Sequence, residues 1–366
     1  DESADDLKLV GAAGFTVAGN IDIDGTANLD VVDIDGATQA DGTITVGVDD
    51  TGYDVKFFGA TSGSYMLWDE SADALKLVGS GSTLVVDGTI NTLGMTGPKT
   101  NFANSFLISN DAGTGTLNAA SSNVGYGFEV FDDLTSGDDN TGIGTQALTK
   151  LTTGAQNVGI GSNCLPALTT SDYNTAVGTS AGAAITTGHS NTTLGAAAGA
   201  AITTGTENTA VGRAALDAVT TASYNVAMGN DALGANTSGA ENTAVGYRAM
   251  VANTEGGDNS AFGSSALDEC TTGAGNTGLG KSALTSVTTS NYNTGVGGQA
   301  GQEITTGTQN TTVGYASLDA TTTGGYNTAV GYNAVGANIT GVQNVGVGVD
   351  ALLLTTGSRN VGLGSY

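Results

Sequence analysis

Asparagine recurs at a fixed step of 17 residues through the second part of this chain. It stands at Asn123, Asn140, Asn157, Asn174, Asn191, Asn208, Asn225, Asn242, Asn259, Asn276, Asn293, Asn310, Asn327 and Asn344, and a last copy, Asn360, follows after 16. Counting from each Asn as position 0, position +4 is Gly in all fifteen copies, and position +3 is always bulky and apolar, as in Ile143, Val177, Met228 and Phe262. Position +2 is Ala or Gly except at Thr193 and Thr312, and position +7 is usually Ala. A repeat this strict points to stacked, near-identical structural units, each of which cannot bury its own apolar face alone.

Composition narrows the kind of stack. Glycine supplies 59 of 366 residues and proline only 2, with no Gly-X-Y period, so a collagen helix is excluded. The aliphatics stay in register and 39% of the chain is hydrophobic, which sets it apart from a disordered tail. Net charge is −26, from 35 acids and 9 bases. Residues 1–122 hold 18 acids and 4 bases (net −14), and residues 123–366 hold 17 and 5 (net −12), so the first part is the more acidic per residue. No basic patch is present to displace counterions from nucleic acid or to dock on an anionic membrane. No apolar run reaches 18 residues, so no membrane insertion is expected. The chain opens on "DESADDLKLVG" and reads as a piece of a longer polypeptide. Cys164 and Cys270 lie 106 residues apart, a spacing that suggests neither a disulfide nor a structural zinc site.

Three regions follow. Residues 1–90 form an acidic, strand-rich stem in which Asp1–Gly11 returns as Asp69–Gly79 with ten of eleven positions unchanged. Here "YDVKFFGA" and "SYMLWDE" read as short strands, and the "DIDG" segments at Asp22–Gly25 and Asp33–Gly36 read as strand ends with Asp-Gly turns rather than as calcium loops. Residues 91–122 break both patterns and form a connecting collar. Residues 123–366 are a parallel β-solenoid of fifteen coils, so the fold class is all-β, with helix nearly absent. At one strand spacing per coil, the array makes a rod of roughly 70 Å.

Within "NTAVG" the +1 and +3 residues share one face and the +2 and +4 residues the other. The expectation is that the bulky face fills the coil and the small face lies outside, open to close approach by a neighbouring chain. The Asn amides are expected to stack as a ladder, although a simple turn role also fits the residue type. In the "TTG" turn, the Gly (Gly154, Gly188, Gly205, Gly307, Gly324) is expected to take a left-handed backbone conformation.

The segments "NTAVGYRA" (Asn242–Ala249) and "NTAVGYNA" (Asn327–Ala334) resemble the head repeats of trimeric autotransporter adhesins. Those heads are left-handed parallel β-rolls, three chains side by side. Together with the stem phrase "GVDDTGYDVKFFGATSGSYMLWDESADALKLVG", the chain looks still more like fibre proteins of tailed bacteriophages from aquatic environments. The roll resemblance covers Asn123–Tyr366 and the stem resemblance about Asp1–Ile90. It implies a homotrimeric tail-fibre segment on the outside of a virion. Its partners would be further copies of itself, other fibre or virion proteins, and a host-cell glycan or protein. The alternative is the head of a bacterial trimeric surface adhesin. Tyr173, Tyr224, Tyr292 and Tyr326 directly precede a repeat Asn and are the candidate surface contacts, either with host sugars or with a neighbouring chain. Enzymatic activity, cofactors and metals are not expected. His189 is the sole histidine, and the acid pairs Asp132-Asp133 and Asp268-Glu269, being adjacent, do not converge on a cleft. Tandem Thr pairs place their hydroxyls on opposite faces, which speaks against an ice-binding surface.

Overall fold

The computed structural model describes residues 55–58, 65–69, 74–78, 102–103, 106–108 and 119–365, and among them no helix occurs. Two compact units divide the chain, residues 1–93 and 94–366. In the first, β1 (Val55–Phe58), β2 (Tyr65–Asp69) and β3 (Ala74–Val78) form an antiparallel sheet in chain order. β1 and β2 fall in the two segments read as strands, and Leu67 is buried. The "DIDG" turns and the first copy of the duplicated module lie outside the described residues.

The second unit is a parallel β-solenoid. Each repeat Asn is followed by a three-residue strand, from Val124–Tyr126 and Thr141–Ile143 to Val361–Leu363. Each strand pairs in parallel with the equivalent residues of the next coil, so Thr243, Ala244 and Val245 lie beside Ser260, Ala261 and Phe262. The ladder extends back to Phe106–Ile108, which pairs with Val124–Tyr126 and brings the sheet to sixteen strands. The half of the coil without strand is stacked as well: the Leu148 N–H donates to Cys164 O at 3.0 Å and the Thr152 N–H to Thr169 O at 2.8 Å. The backbone polar groups are thus paired from coil to coil along the rod, as burial requires.

The chain turns at left-handed residues. Three positions per coil take φ near +55°, namely −1 (Gln156, φ 58°), +6 (Gln146, φ 57°) and +8 (Leu148, φ 54°). Few are glycine, and each such L-residue costs roughly 1–2 kcal/mol that stacking must offset. The "TTG" glycines are not among the left-handed residues, which corrects the expectation. What they supply is room: a Cβ on Gly188 would lie 2.2 Å from the carbonyl oxygen of Gly205 in the next coil. The +4 glycines meet both constraints, since Gly144 has φ 126° and a Cβ there would lie 2.5 Å from Gly161 O.

The strand faces are also the reverse of the expectation. Position +2 points inward, with Ala176, Ala210, Ala244 and Ala329 fully buried, and the bulky +3 side chains point outward. The reason is the narrowness of the coil. Its interior is filled from the opposite side by Leu148, Leu165, Leu216 and Leu284 at +8, and by Leu151, Leu168, Ile185 and Ile202 at +11. These leave space at +2 for little more than a methyl group: a Cβ on Gly142 would already lie 2.8 Å from Val130 Cγ1. Where +2 is enlarged to Thr193, position +8 of the same coil is Gly199, and a Cβ there would lie 2.7 Å from Thr193 Cγ2. At Thr312 a buried polar pair forms instead, its Oγ1 donating to Ser317 O at 2.7 Å.

Candidate functional site

The repeat asparagines lie inside the rod, fully buried from Asn123 to Asn310. Their amides form one continuous ladder. Asn242 Oδ1 accepts from the Asn259 N–H at 3.0 Å and from Asn259 Nδ2 at 3.2 Å. Asn242 Nδ2 donates to Asn225 Oδ1 at 3.2 Å and to Gly256 O at 2.8 Å. The amide therefore uses both Nδ2 hydrogens and two acceptor sites, which explains why neither Asp nor Ser replaces it. A second ladder of threonines runs beside it at +12, most of their Oγ1 atoms donating to the +12 carbonyl of the next coil, as from Thr271 to Thr288 at 3.1 Å. Most of these are the first members of the tandem Thr pairs, as Thr271 is of Thr271-Thr272. They lie in the turn half of the coil rather than on strands, and the second members, such as Thr187 and Thr272, are exposed.

The surface these ladders support is the outer face of the long sheet. Thr, Val or Ser stands at +1 and an aliphatic or aromatic residue at +3, in columns one strand spacing apart. Leu194 (45%), Phe262 (41%) and Leu279 (47%) remain substantially exposed although they sit mid-sheet. The columns run without a charged residue from Val124 to Leu363. The face is therefore uncharged throughout, a hydroxyl-rich column at +1 beside an apolar column at +3.

Two edges bound the face. On one, position −1 carries Tyr173, Tyr224, Tyr292 and Tyr326, all exposed and all left-handed. The Tyr292 ring lies against Gly275 of the preceding coil, where an added Cβ would come within 2.8 Å of it. In three of these four coils the residue before Tyr carries a polar side chain that accepts from the preceding coil: Asp172 Oδ1 from the Ala155 N–H, Ser223 Oγ from Thr206, and Asn291 Oδ1 from Ala274. On the other edge, position +5 carries Tyr247, Tyr315 and Tyr332, and the last two stack with ring centroids 5.9 Å apart. The tyrosines thus flank the uncharged face rather than gathering into one pocket.

The residues with catalytic potential do not converge. His189 is exposed, its Nδ1 3.3 Å from the neighbouring Ser190 Oγ. Asp132-Asp133 and Asp268-Glu269 sit at +9 and +10, in the turn half of the coil, and Asp268 Oδ1 lies 3.7 Å from Arg248 Nη2. Asp217 and Asp319, also at +9, have carboxyls raised above the ordinary range chiefly by desolvation. Cys164 and Cys270 are buried core residues whose thiols are pushed up by burial, to about 12 and about 11, which disfavours the thiolate. Among the described residues no cluster of three or more His, Cys, Asp or Glu could hold a metal ion, and no helix is long and apolar enough to cross a membrane. Comparison of the chain with protein-family models, with curated proteins and with solved structures returned no match.

Proposed function

We propose that this chain is a structural and adhesive fibre segment, three copies standing side by side with their sheet faces turned toward a common axis. The observation that carries this reading is the outer sheet face, uncharged from the first repeat strand to the last and with an apolar side chain, exposed or half-buried, at +3 of every coil. Stability in such an array is a sum of coil and neighbour terms, so length can be added without a larger core, which suits a spacer. On this reading the segment belongs to a bacteriophage tail fibre that holds a host-binding element away from the particle. It joins further fibre proteins along its axis and meets a host-cell glycan or protein at or beyond its ends. The buried Asn ladder gives the rod its rigidity and takes no part in recognition.

Sedimentation tests the assembly directly. The purified chain is expected to sediment as a trimer, and Val245→Asp with Val330→Asp is expected to sediment as a monomer that keeps its β circular dichroism, because both side chains sit on the outer face. A stable, folded wild-type monomer at micromolar concentration overturns the reading.

A further inference from the structure

A repeating face has a difficulty of register. Sliding one copy past another by one coil, roughly 4.8 Å, exchanges +1 for +1 and +3 for +3, so the apolar columns fit almost equally well at many offsets. If assembly is accurate, something other than the columns must select the offset.

The two edges of the face differ in charge. At position −1 an acid occurs in four of the fifteen coils, as Asp139, Glu207, Glu241 and Asp258. At positions +5 and +6 a base occurs in three, as Arg213, Arg248 and Lys281. The two sets share two coils, those of Asn208, with Glu207 and Arg213, and Asn242, with Glu241 and Arg248. Within one chain Glu207 and Arg213 stand on opposite edges, six residues apart across the strand, on the order of 20 Å if extended and far outside ion-pair reach. Each arginine is held at its edge by an acid of the following coil, Arg213 Nη1 4.0 Å from Asp231 and Arg248 Nη2 3.7 Å from Asp268. A guanidinium has five N–H donors, so both keep donors for a second carboxylate.

A three-fold axis along the rod brings the −1 edge of one copy against the +5/+6 edge of the next, coil level with coil. At zero offset no acid at −1 or −2 stands level with an acid at +5 or +6 in any repeat. A slip of one coil in one direction sets Glu207 level with Asp231 while giving the opposite pair Asp258 with Lys281. A slip in the other direction sets Glu241 level with Asp231 and Asp139 level with Glu129, against the opposite pairs Asp258 with Arg248 and Arg359 with Asp350. Like and opposite charges therefore cancel in both slips, whereas zero offset has two opposite pairs and no like pair. Like charges at an interface select against those arrangements.

We infer that the edges carry a charge code for register: Glu207 of one copy pairs with Arg213 of the next, and Glu241 with Arg248, fixing three parallel copies at zero axial offset. The partner is a second copy of this chain, and the inference rests on the side-by-side reading above. Exposed ion pairs add little net stability, so their effect is on which offset forms rather than on whether copies associate.

The test places cysteines at Ser190 and Ala196, uncharged positions −1 and +5 of one coil, and joins them with a bis-maleimide. Cys164 and Cys270 are fully buried and do not compete. Inter-chain cross-linking is expected in the otherwise wild-type chain, and a several-fold loss when Glu207→Arg and Glu241→Arg are added. Arg359 already occupies position −1 with φ 62°, so arginine is compatible with that backbone. Adding Arg213→Glu and Arg248→Glu as well restores opposite charges and is expected to restore the yield. At 1 M salt, where screening acts over about 3 Å, the differences are expected to shrink. Trimers whose yield ignores the first reversal, or is not recovered by the second, overturn the code and leave the side-by-side reading standing. Sedimentation of the parent chain as a monomer removes that reading and the inference with it.

Discussion

Replacing Asn242 by alanine probes the amide ladder where it is complete. Three buried groups lose a partner: the Asn259 N–H (3.0 Å), one Asn259 Nδ2 hydrogen (3.2 Å) and the Gly256 carbonyl (2.8 Å). Asn225 Oδ1 keeps the Asn242 N–H at 3.1 Å, and Asn259 Nδ2 keeps Gly273 O at 2.8 Å. At about 1–3 kcal/mol for each buried group left unsatisfied, and allowing for some relaxation, the loss is about 3–6 kcal/mol. Asn360→Ala is the control. Its Nδ2 donates to Asn344 Oδ1 at 2.9 Å, the Asn360 N–H donates to the same oxygen, and its own Oδ1 holds no ladder bond among the described residues. That loss is about 1 kcal/mol or less. Stability in a stacked array is local, so native-state hydrogen exchange is the appropriate assay. With a tenfold change per 1.4 kcal/mol, amides of the coils flanking Asn242 are expected to exchange ~10²–10⁴ times faster in the alanine variant. Asn360→Ala is expected to change exchange by no more than about tenfold, at its own end. Equal, small effects at both sites would show that the ladder is a bystander to stacking driven by Leu and Ile.

Other outcomes follow from the same geometry. Ala244→Leu forces bulk into the filled coil and is expected to cost about 1–3 kcal/mol or more in a denaturant titration, whereas Val245→Asp is expected to leave the coil folded; the opposite ranking would mean the faces are misassigned. Ala214→Gly relieves a left-handed alanine (φ 54°) and is expected to raise the unfolding midpoint, by about 0.5 kcal/mol after the entropy of glycine is counted. Deleting Asn225–Glu241 removes one period and is expected to shorten the rod by roughly 4.8 Å with the fold intact. An eight-residue deletion at the same place is expected to unfold the following coils. Asp217 and Asp319 have raised folded-state carboxyls, so their contribution is present below the ordinary aspartate range and is lost as pH rises from there through the higher folded-state value. Asp217→Asn with Asp319→Asn is therefore expected to flatten the fall in stability between acidic and neutral pH, as read by thermal melts at each pH.

What could be read along the chain was whatever repeats: the 17-residue period, the parallel stacking, the all-β class and the Asn column. What could not be read was which way a strand faces. Alternation in "NTAVG" divides residues into two sets but carries no sign, because the inside is defined by what arrives from across the coil. Leu148 and Leu151 arrive there and leave only methyl-sized room at +2. A column-by-column reading held the missing signal, since Thr at +2 (Thr193) meets Gly at +8 (Gly199) in the same coil, a compensation that makes sense only if both point inward. The left-handed corners were hidden for a different reason. Position −1 is filled by Gln156, Tyr173, Glu207 and Arg359, residues with no preference for positive φ, and Gly275 alone carries the usual mark. There the backbone conformation is imposed by stacking rather than by the residue that adopts it. That freedom is what lets position −1 vary from coil to coil, and a position free to vary is where a repeating rod can distinguish one of its coils from another.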